Sequence, residues 1–149
     1  MACYHPSKID VDRRAMAGLE PRRDTVTVPC GTCIGCRSDQ GRDWAIRLMH
    51  EALLHPGAAW FITLTYAPEN LPENGSLQPD DCQLFFKRFR KNQRNRIRYF
   101  LCGEYGETTD RPHYHAIIVG APLLDKTRIG ERNGFPVWRS GLLERSWDV

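Results

Sequence analysis

No stretch of this chain stays apolar for the ~20 residues that a membrane-spanning helix requires, and no hydrophobic N-terminal segment suggests export. Internal repeats and low-complexity tracts are also missing, which sets aside repeat arrays and compositionally biased linkers. Charge of one sign is nearly absent in sum: the net charge is only +3 over 149 residues. Tyrosine does not occur after Tyr114, and no acid interrupts residues 87–98. What is there suffices for one domain with a real core, since 41% of the residues are hydrophobic.

The most informative segment is Arg111-Pro112-His113-Tyr114-His115, followed by Ala116-Ile117-Ile118-Val119-Gly120. The β-branched run closed by glycine reads as a strand. Side chains at i and i+2 on a strand share a face, so both imidazoles point the same way. One cation or one phosphate could meet them there; a half-exposed pair without a ligand is the alternative. Upstream, Ile97 to Gly106 reads as a second strand ending in Gly103-Glu104-Tyr105-Gly106, and a polar loop returns the chain to His113. Glu104 then ends one strand about level with the histidines that begin the next. Two imidazoles and a carboxylate with open positions suit a divalent cation that must also hold substrate oxygens.

A third strand spans Ala59 to Tyr66 and stops at the turn Ala67-Pro68-Glu69-Asn70. Phe61-Ile62-Thr63-Leu64-Thr65-Tyr66, then Gly103-Glu104, then His113-Tyr114-His115 resemble, in this order, the motifs of HUH-superfamily rolling-circle replication initiators. With the cysteine-rich stretch and Trp44 to Leu48, the chain is similar to the replication initiation proteins of small single-stranded DNA phages of the microvirus, gokushovirus-like group. The resemblance implies a ferredoxin-like or RRM-like architecture and a soluble protein of the bacterial host cytoplasm. It implies an endonuclease that binds single-stranded origin DNA, with host replication machinery as a further partner. In such proteins a tyrosine on a later helix attacks a scissile phosphate polarised by Mg2+ or Mn2+. Carried over, Glu104, His113 and His115 become catalytic metal ligands. The family's tyrosine helix, of Tyr-x-x-Lys or Tyr-x-x-x-Tyr type, has no counterpart here, so the resemblance implies a chain that stops before it. A relaxase-like arrangement would instead put the nucleophile at Tyr4, and no catalytic tyrosine is assigned.

The cysteines form a second constellation. Cys30-Gly31-Thr32-Cys33-Ile34-Gly35-Cys36 overlaps two C-x-x-C spacings, which place thiolates on one tetrahedral ion while glycine permits the tight turn. The fourth ligand of such a Zn2+ site is Cys3, with His5 as the alternative. An iron–sulfur cluster is disfavoured because Gln40 stands where a further cysteine should fall, and disulfides are disfavoured by the reducing compartment that the resemblance implies. Free thiols remain the other reading. Cys82 and Cys102 read as buried small hydrophobes.

Lys87, Arg88, Arg90, Lys91, Arg94, Arg96 and Arg98 form a basic run that could neutralise several phosphates, or simply be a solvated helix face. Two helices are expected. Residues 38–54 place Trp44, Leu48, Met49, Ala52 and Leu53 on one stripe, and residues 80–95 place Leu84, Phe85 and Phe89 on another. Thr25 to Val28 reads as a short strand, residues 67–79 and 121–137 as loops, and the last residues as a short helix. The expectation is therefore an α+β domain: an antiparallel sheet of four to five strands with helices on one face. Residues 1–37 would be a zinc-bound cysteine segment packed on an HUH endonuclease-like domain over 38–149. Three functions fit: an initiator endonuclease domain, a zinc-containing nucleic-acid-binding module without catalysis, or a metal-dependent nuclease that uses water.

Overall fold

The computed structural model describes residues 3–12 and 23–148, and the parts of the expected 1–37 segment at 1–2 and 13–22 lie outside them. The chain divides into two units, residues 1–49 and 50–149. The first holds β1 (Ser7–Asp12) and β2 (Arg23–Val28), which pair antiparallel from Ser7 opposite Val28 onward. It also holds most of α1 (Ile34–Leu53). That helix starts four residues before the expected Ser38, inside the cysteine motif. Its expected apolar stripe is not a buried one: Trp44, Met49 and Leu53 are exposed, and Gly35 is the buried residue of the helix.

The second unit is built on β3 (Ala59–Thr65), β4 (Arg98–Tyr105) and β5 (Pro112–Val119), in the order β3-β5-β4, all antiparallel. Alternation sorts their side chains cleanly. Ile62, Leu64, Tyr114, Ala116 and Ile118 are buried on one face, while Phe61, Thr63, His113 and His115 stand on the other. The buried face is covered by α2 (Pro79–Lys91) and α3 (Gly141–Ser146). α2 opens with Pro79 and two acids and ends in Arg88, Arg90 and Lys91, charges that suit the helix dipole at both ends. Its buried stripe is Cys82, Phe85, Phe86 and Phe89; Leu84, expected inside, is exposed. Phe86 stacks on Tyr99 with ring centroids 3.5 Å apart, and Trp147 packs edge-on against Phe85. Gly120 ends β5 at φ +86, where a Cβ would stand 2.8 Å from the Arg96 carbonyl oxygen, so both the turn and the close approach require glycine.

The α+β class and the three central strands match the sequence reading. The single sheet of four to five strands does not form: among the described residues the site sheet has three strands, and two hairpins stand as separate sheets. One of those hairpins, β6 (Lys126–Arg132) with β7 (Phe135–Ser140), replaces the loop expected over 121–137. Its turn is Asn133-Gly134, both at positive φ, the preferred chemistry of a two-residue hairpin. Lys126 Nζ lies over the rings of Trp60 and Trp138, at 4.9 and 5.8 Å from their centroids, and so links this hairpin to the sheet.

Candidate functional site

The open face of the three-stranded sheet brings Glu104, His113 and His115 together. Antiparallel register sets His113 opposite Glu104 on one side and opposite Thr65 on the other, with His115 between Cys102 and Thr63. Glu104 Oε2 lies 3.3 Å from His115 Nε2 and 3.8 Å from His113 Nε2. The three ligand atoms all fall within 4.8 Å of one another. Ligands held about 2.1 Å from a hard divalent cation at right angles stand about 3 Å apart, so a small inward adjustment suffices.

The far sides of the rings are fixed as well. His113 Nδ1 is 3.2 Å from the Arg111 carbonyl oxygen, which can only accept, so Nδ1 carries the proton and Nε2 presents its lone pair. His115 Nδ1 is 3.1 Å from Thr63 Oγ1. A metal-bound histidine ordinarily gives its other nitrogen such a partner, and that partner fixes ring orientation and tautomer. Arg111 is itself held, its guanidinium donating to the Tyr66 carbonyl at 2.9 Å, and Trp147 Nε1 donates to the Thr65 carbonyl at 2.8 Å. The end of β3 and the start of β5 are thereby tied together beside the histidines. The donor set, its spacing and its outer partners fit a divalent cation. Both imidazoles are half-buried and Glu104 is exposed, which leaves positions for substrate oxygens.

Three neighbours were not singled out in the sequence. Thr63 and Arg111 orient the rings, and Phe61 stacks on His115 at 5.2 Å between ring centroids while remaining 67% exposed. The alternation of Phe61, Thr63 and Thr65 opposite the His-x-His pair carried that signal. Cys102, expected buried, is exposed: it pairs with His115 on the open face. Cys82 is buried as expected, and burial pushes its thiol up to about 12.

The tyrosines nearest the site face away from it. Tyr114 is buried between the two histidines with its side chain in the core, and Tyr66 donates to Asp81 Oδ2 at 2.7 Å. Burial first, then the Asp81 carboxylate, raises the Tyr66 phenol far above its ordinary range. Tyr105 Oη accepts from the Leu77 N–H. Tyr4 belongs to the other unit, its backbone N–H donating to Cys33 Sγ at 3.5 Å.

The basic run does not converge on the triad. Lys87, Arg88, Arg90 and Lys91 sit on α2, behind the sheet, and Arg90 lies over the Tyr99 ring at 5.2 Å from its centroid. Arg98 opens β4 six residues from Glu104, about 20 Å along the strand, and its Nη1 donates to both Glu51 carboxylate oxygens at 2.8 Å. Arg94 and Arg96 lie exposed in the turn before it.

In the first unit the sulfurs of Cys3, Cys30, Cys33 and Cys36 lie within 4.8 Å of one another; among the described residues this group takes Cys3 and not His5. The Cys33 N–H, then donors from Thr32, draw the Cys30 thiol down to about 5. The Gly31 N–H favours a Cys36 thiolate too, but partial burial and the neighbouring thiols outweigh it and push Cys36 up to about 12.

Comparison with known proteins places this geometry in a family context. The family model for replication-associated protein ORF2 matches residues 59–147, from the start of β3 to just past α3. Replication-associated protein ORF2 of Spiroplasma virus 4 is 37% identical over 132 residues, covering 82% of this chain and 41% of the relative. Replication-associated protein VP4 of Bdellovibrio phage phiMH2K is 40% identical over 98 residues, 60% of this chain and 30% of the relative. Replication-associated protein ORF4 of Chlamydia phage 1 is 32% identical over 97 residues, 62% of this chain and 24% of the relative. The chain thus spans less than half the length of these curated relatives. No solved structure matches. No helix among the described residues is long and apolar enough to cross a membrane.

Proposed function

The chain belongs to the replication-associated protein ORF2 family, and from that premise we propose that it carries the metal-holding part of a phage replication initiator. The substrate is single-stranded origin DNA, and the reaction is the phosphodiester cleavage and joining of rolling-circle replication. The observation that carries this reading is the Glu104, His113 and His115 triad, gathered on an open sheet face with both rings oriented from behind.

Bound Mg2+ or Mn2+ would supply charge neutralisation and orientation at a scissile phosphate, which otherwise repels an anionic nucleophile. The residues of the chain prepare for that. Arg111 and Thr63 hold the imidazoles with Nε2 facing Glu104, and Glu104 adds the negative charge that a divalent cation requires. Phe61, apolar and exposed beside His115, offers a flat surface on which a nucleotide base can stack. Tyr66 and Tyr114 are committed to the core and Tyr105 to Leu77, so none of the three is assigned the attack. Lys87, Arg88, Arg90, Lys91, Arg94, Arg96 and Arg98 contribute salt-dependent phosphate contacts behind and beyond the sheet, away from the site.

Fluorescence anisotropy with labelled single-stranded DNA, with and without Mn2+, tests the reading. Mn2+ is expected to tighten binding by the wild-type chain and to leave the His113→Ala/His115→Ala chain unchanged. Equal affinity for both chains, indifferent to Mn2+, would point instead to a binding module whose histidines are incidental.

A further inference from the structure

The first unit has almost no hydrophobic interior. Among the described residues, no apolar residue before Ile62 is buried, and the unit's only sheet is a two-stranded hairpin. An isolated hairpin is marginally stable at best in water, and small folds lacking a core are commonly held by a disulfide or a structural metal. Something other than apolar burial must hold this unit, and its four cysteines are in place to do so.

The hairpin brings them together. Pairing of Ser7 with Val28 sets the chain just before β1 against the chain just after β2, and the Cys30 N–H donates to Cys3 Sγ at 3.3 Å. Gly31, at φ +78, then turns the backbone into α1, whose first turn carries Cys36. Cys30 Sγ lies 3.9 Å from Cys36 Sγ, and Cys33 Sγ lies 3.9 Å from Cys3 Sγ. Those are two opposite edges of a tetrahedron. Four sulfurs held about 2.3 Å from a central zinc stand about 3.8 Å apart. A disulfide needs about 2.05 Å, and an iron–sulfur cluster, with iron and sulfide between the cysteines, spreads them further. Donors also ring the sulfurs from outside. The Cys33 N–H reaches Cys30 Sγ at 3.4 Å, the Thr32 hydroxyl reaches it at 3.7 Å, and the Tyr4 N–H reaches Cys33 Sγ. Outer partners of this kind support thiolates that carry a metal.

We propose that Cys3, Cys30, Cys33 and Cys36 bind one zinc ion in a closed four-thiolate site that takes the place of a hydrophobic core in the first unit. The site clips the residues before β1 to the start of α1. With all four positions filled by sulfur, it has no place for substrate and is structural. Its loss unfolds the first unit and leaves the Glu104, His113 and His115 site standing, because the two draw on different units.

The test uses the whole chain purified without chelator under reducing conditions, with metal content, cobalt substitution and amide NMR read together. The expected result is one zinc per chain, retained in the His113→Ala/His115→Ala variant. Cobalt should give the intense visible bands of a tetrahedral thiolate site and a sulfur-to-cobalt band that falls by about a quarter in Cys3→Ser. His5→Ala and Cys102→Ser should leave that band unchanged. Removing the metal from the wild-type chain should collapse the amide signals of residues 3–49 alone, a readout that stands even if Cys3→Ser fails to fold. The proposal is overturned by a chain that holds no zinc and gives no thiolate cobalt bands, or by masses showing disulfides among these four cysteines. It is equally overturned by a Cys3→Ser chain with the full band, by iron in place of zinc when both are supplied, or by a stripped chain whose first unit stays folded.

Discussion

His115 Nδ1 and Thr63 Oγ1 stand 3.1 Å apart across the β3–β5 pairing, so a threonine of one motif sets the ring angle of a histidine in another. Replacing Thr63 with Val keeps the strand and its volume but removes the hydroxyl. Outer partners of this kind are worth roughly ten- to a hundredfold in metal affinity. Thr63→Val is therefore expected to weaken Mn2+ binding by about that factor without lowering the melting temperature appreciably. Titration calorimetry beside a thermal melt separates the two effects, and unchanged Mn2+ affinity would remove Thr63 from the site.

The two buried tyrosines behind the site should respond in opposite ways to losing their hydroxyls. Tyr66 donates to the Asp81 carboxylate at 2.7 Å, whereas the Tyr114 hydroxyl is buried without a hydrogen-bond partner. Tyr66→Phe is expected to cost about 1–2 kcal/mol, and Tyr114→Phe to be neutral or slightly stabilising, because it removes an unsatisfied polar atom. Urea unfolding midpoints give the comparison directly.

Asp125 predicts an acid-sensitive joint at α3. Its carboxylate accepts from Ser140 Oγ at 2.8 Å and from the Leu142 N–H at 2.7 Å, and Ser140 caps the helix by accepting from the Leu143 N–H. Slight burial works against the charged form, but the Leu142 and Ser140 donors outweigh it and hold the carboxyl below its ordinary value. A depressed folded value means that the unfolded chain takes up the proton first. The contribution is thus fully present above about pH 4, the unfolded value, and fades as pH falls through the folded one. At pH 7, Asp125→Asn should be less stable by about 1 kcal/mol, kept small by the exposure of the carboxylate. Melting curves of the two chains should converge as pH falls below 4, and a gap independent of pH would refute the assignment.

How much of this was legible in the sequence depended on the face each residue occupies. The strands at Ala59, Arg98 and Pro112 were readable because their β-branched and aromatic runs end in turn residues. The spacing of His113 and His115 placed them on one face for the same reason. Strand alternation, applied to β4, would also have put Cys102 with Glu104 on the open side; composition alone suggested burial. The β6–β7 hairpin was hidden because a register shift between Arg128 and Gly130 and the presence of Pro136 break its alternation, and because Ile129 and Phe135 are exposed. Its one clear sign was Asn133-Gly134. In α2, a stripe one residue wide of the true one admitted Leu84 and missed Phe86. The basic run shows the limit of linear reading: seven adjacent charges end up behind the sheet and at its far end, where only the fold could place them.

The most direct test of the account is a count of Mn2+ ions bound by the zinc-loaded chain, by electron paramagnetic resonance, for the wild type and for His113→Ala/His115→Ala. The account predicts one Mn2+ per wild-type chain, none on the variant, and identical circular dichroism for both. A wild type that takes up no Mn2+, or a variant that binds it as tightly, would contradict the assignment of Glu104, His113 and His115 as a metal centre.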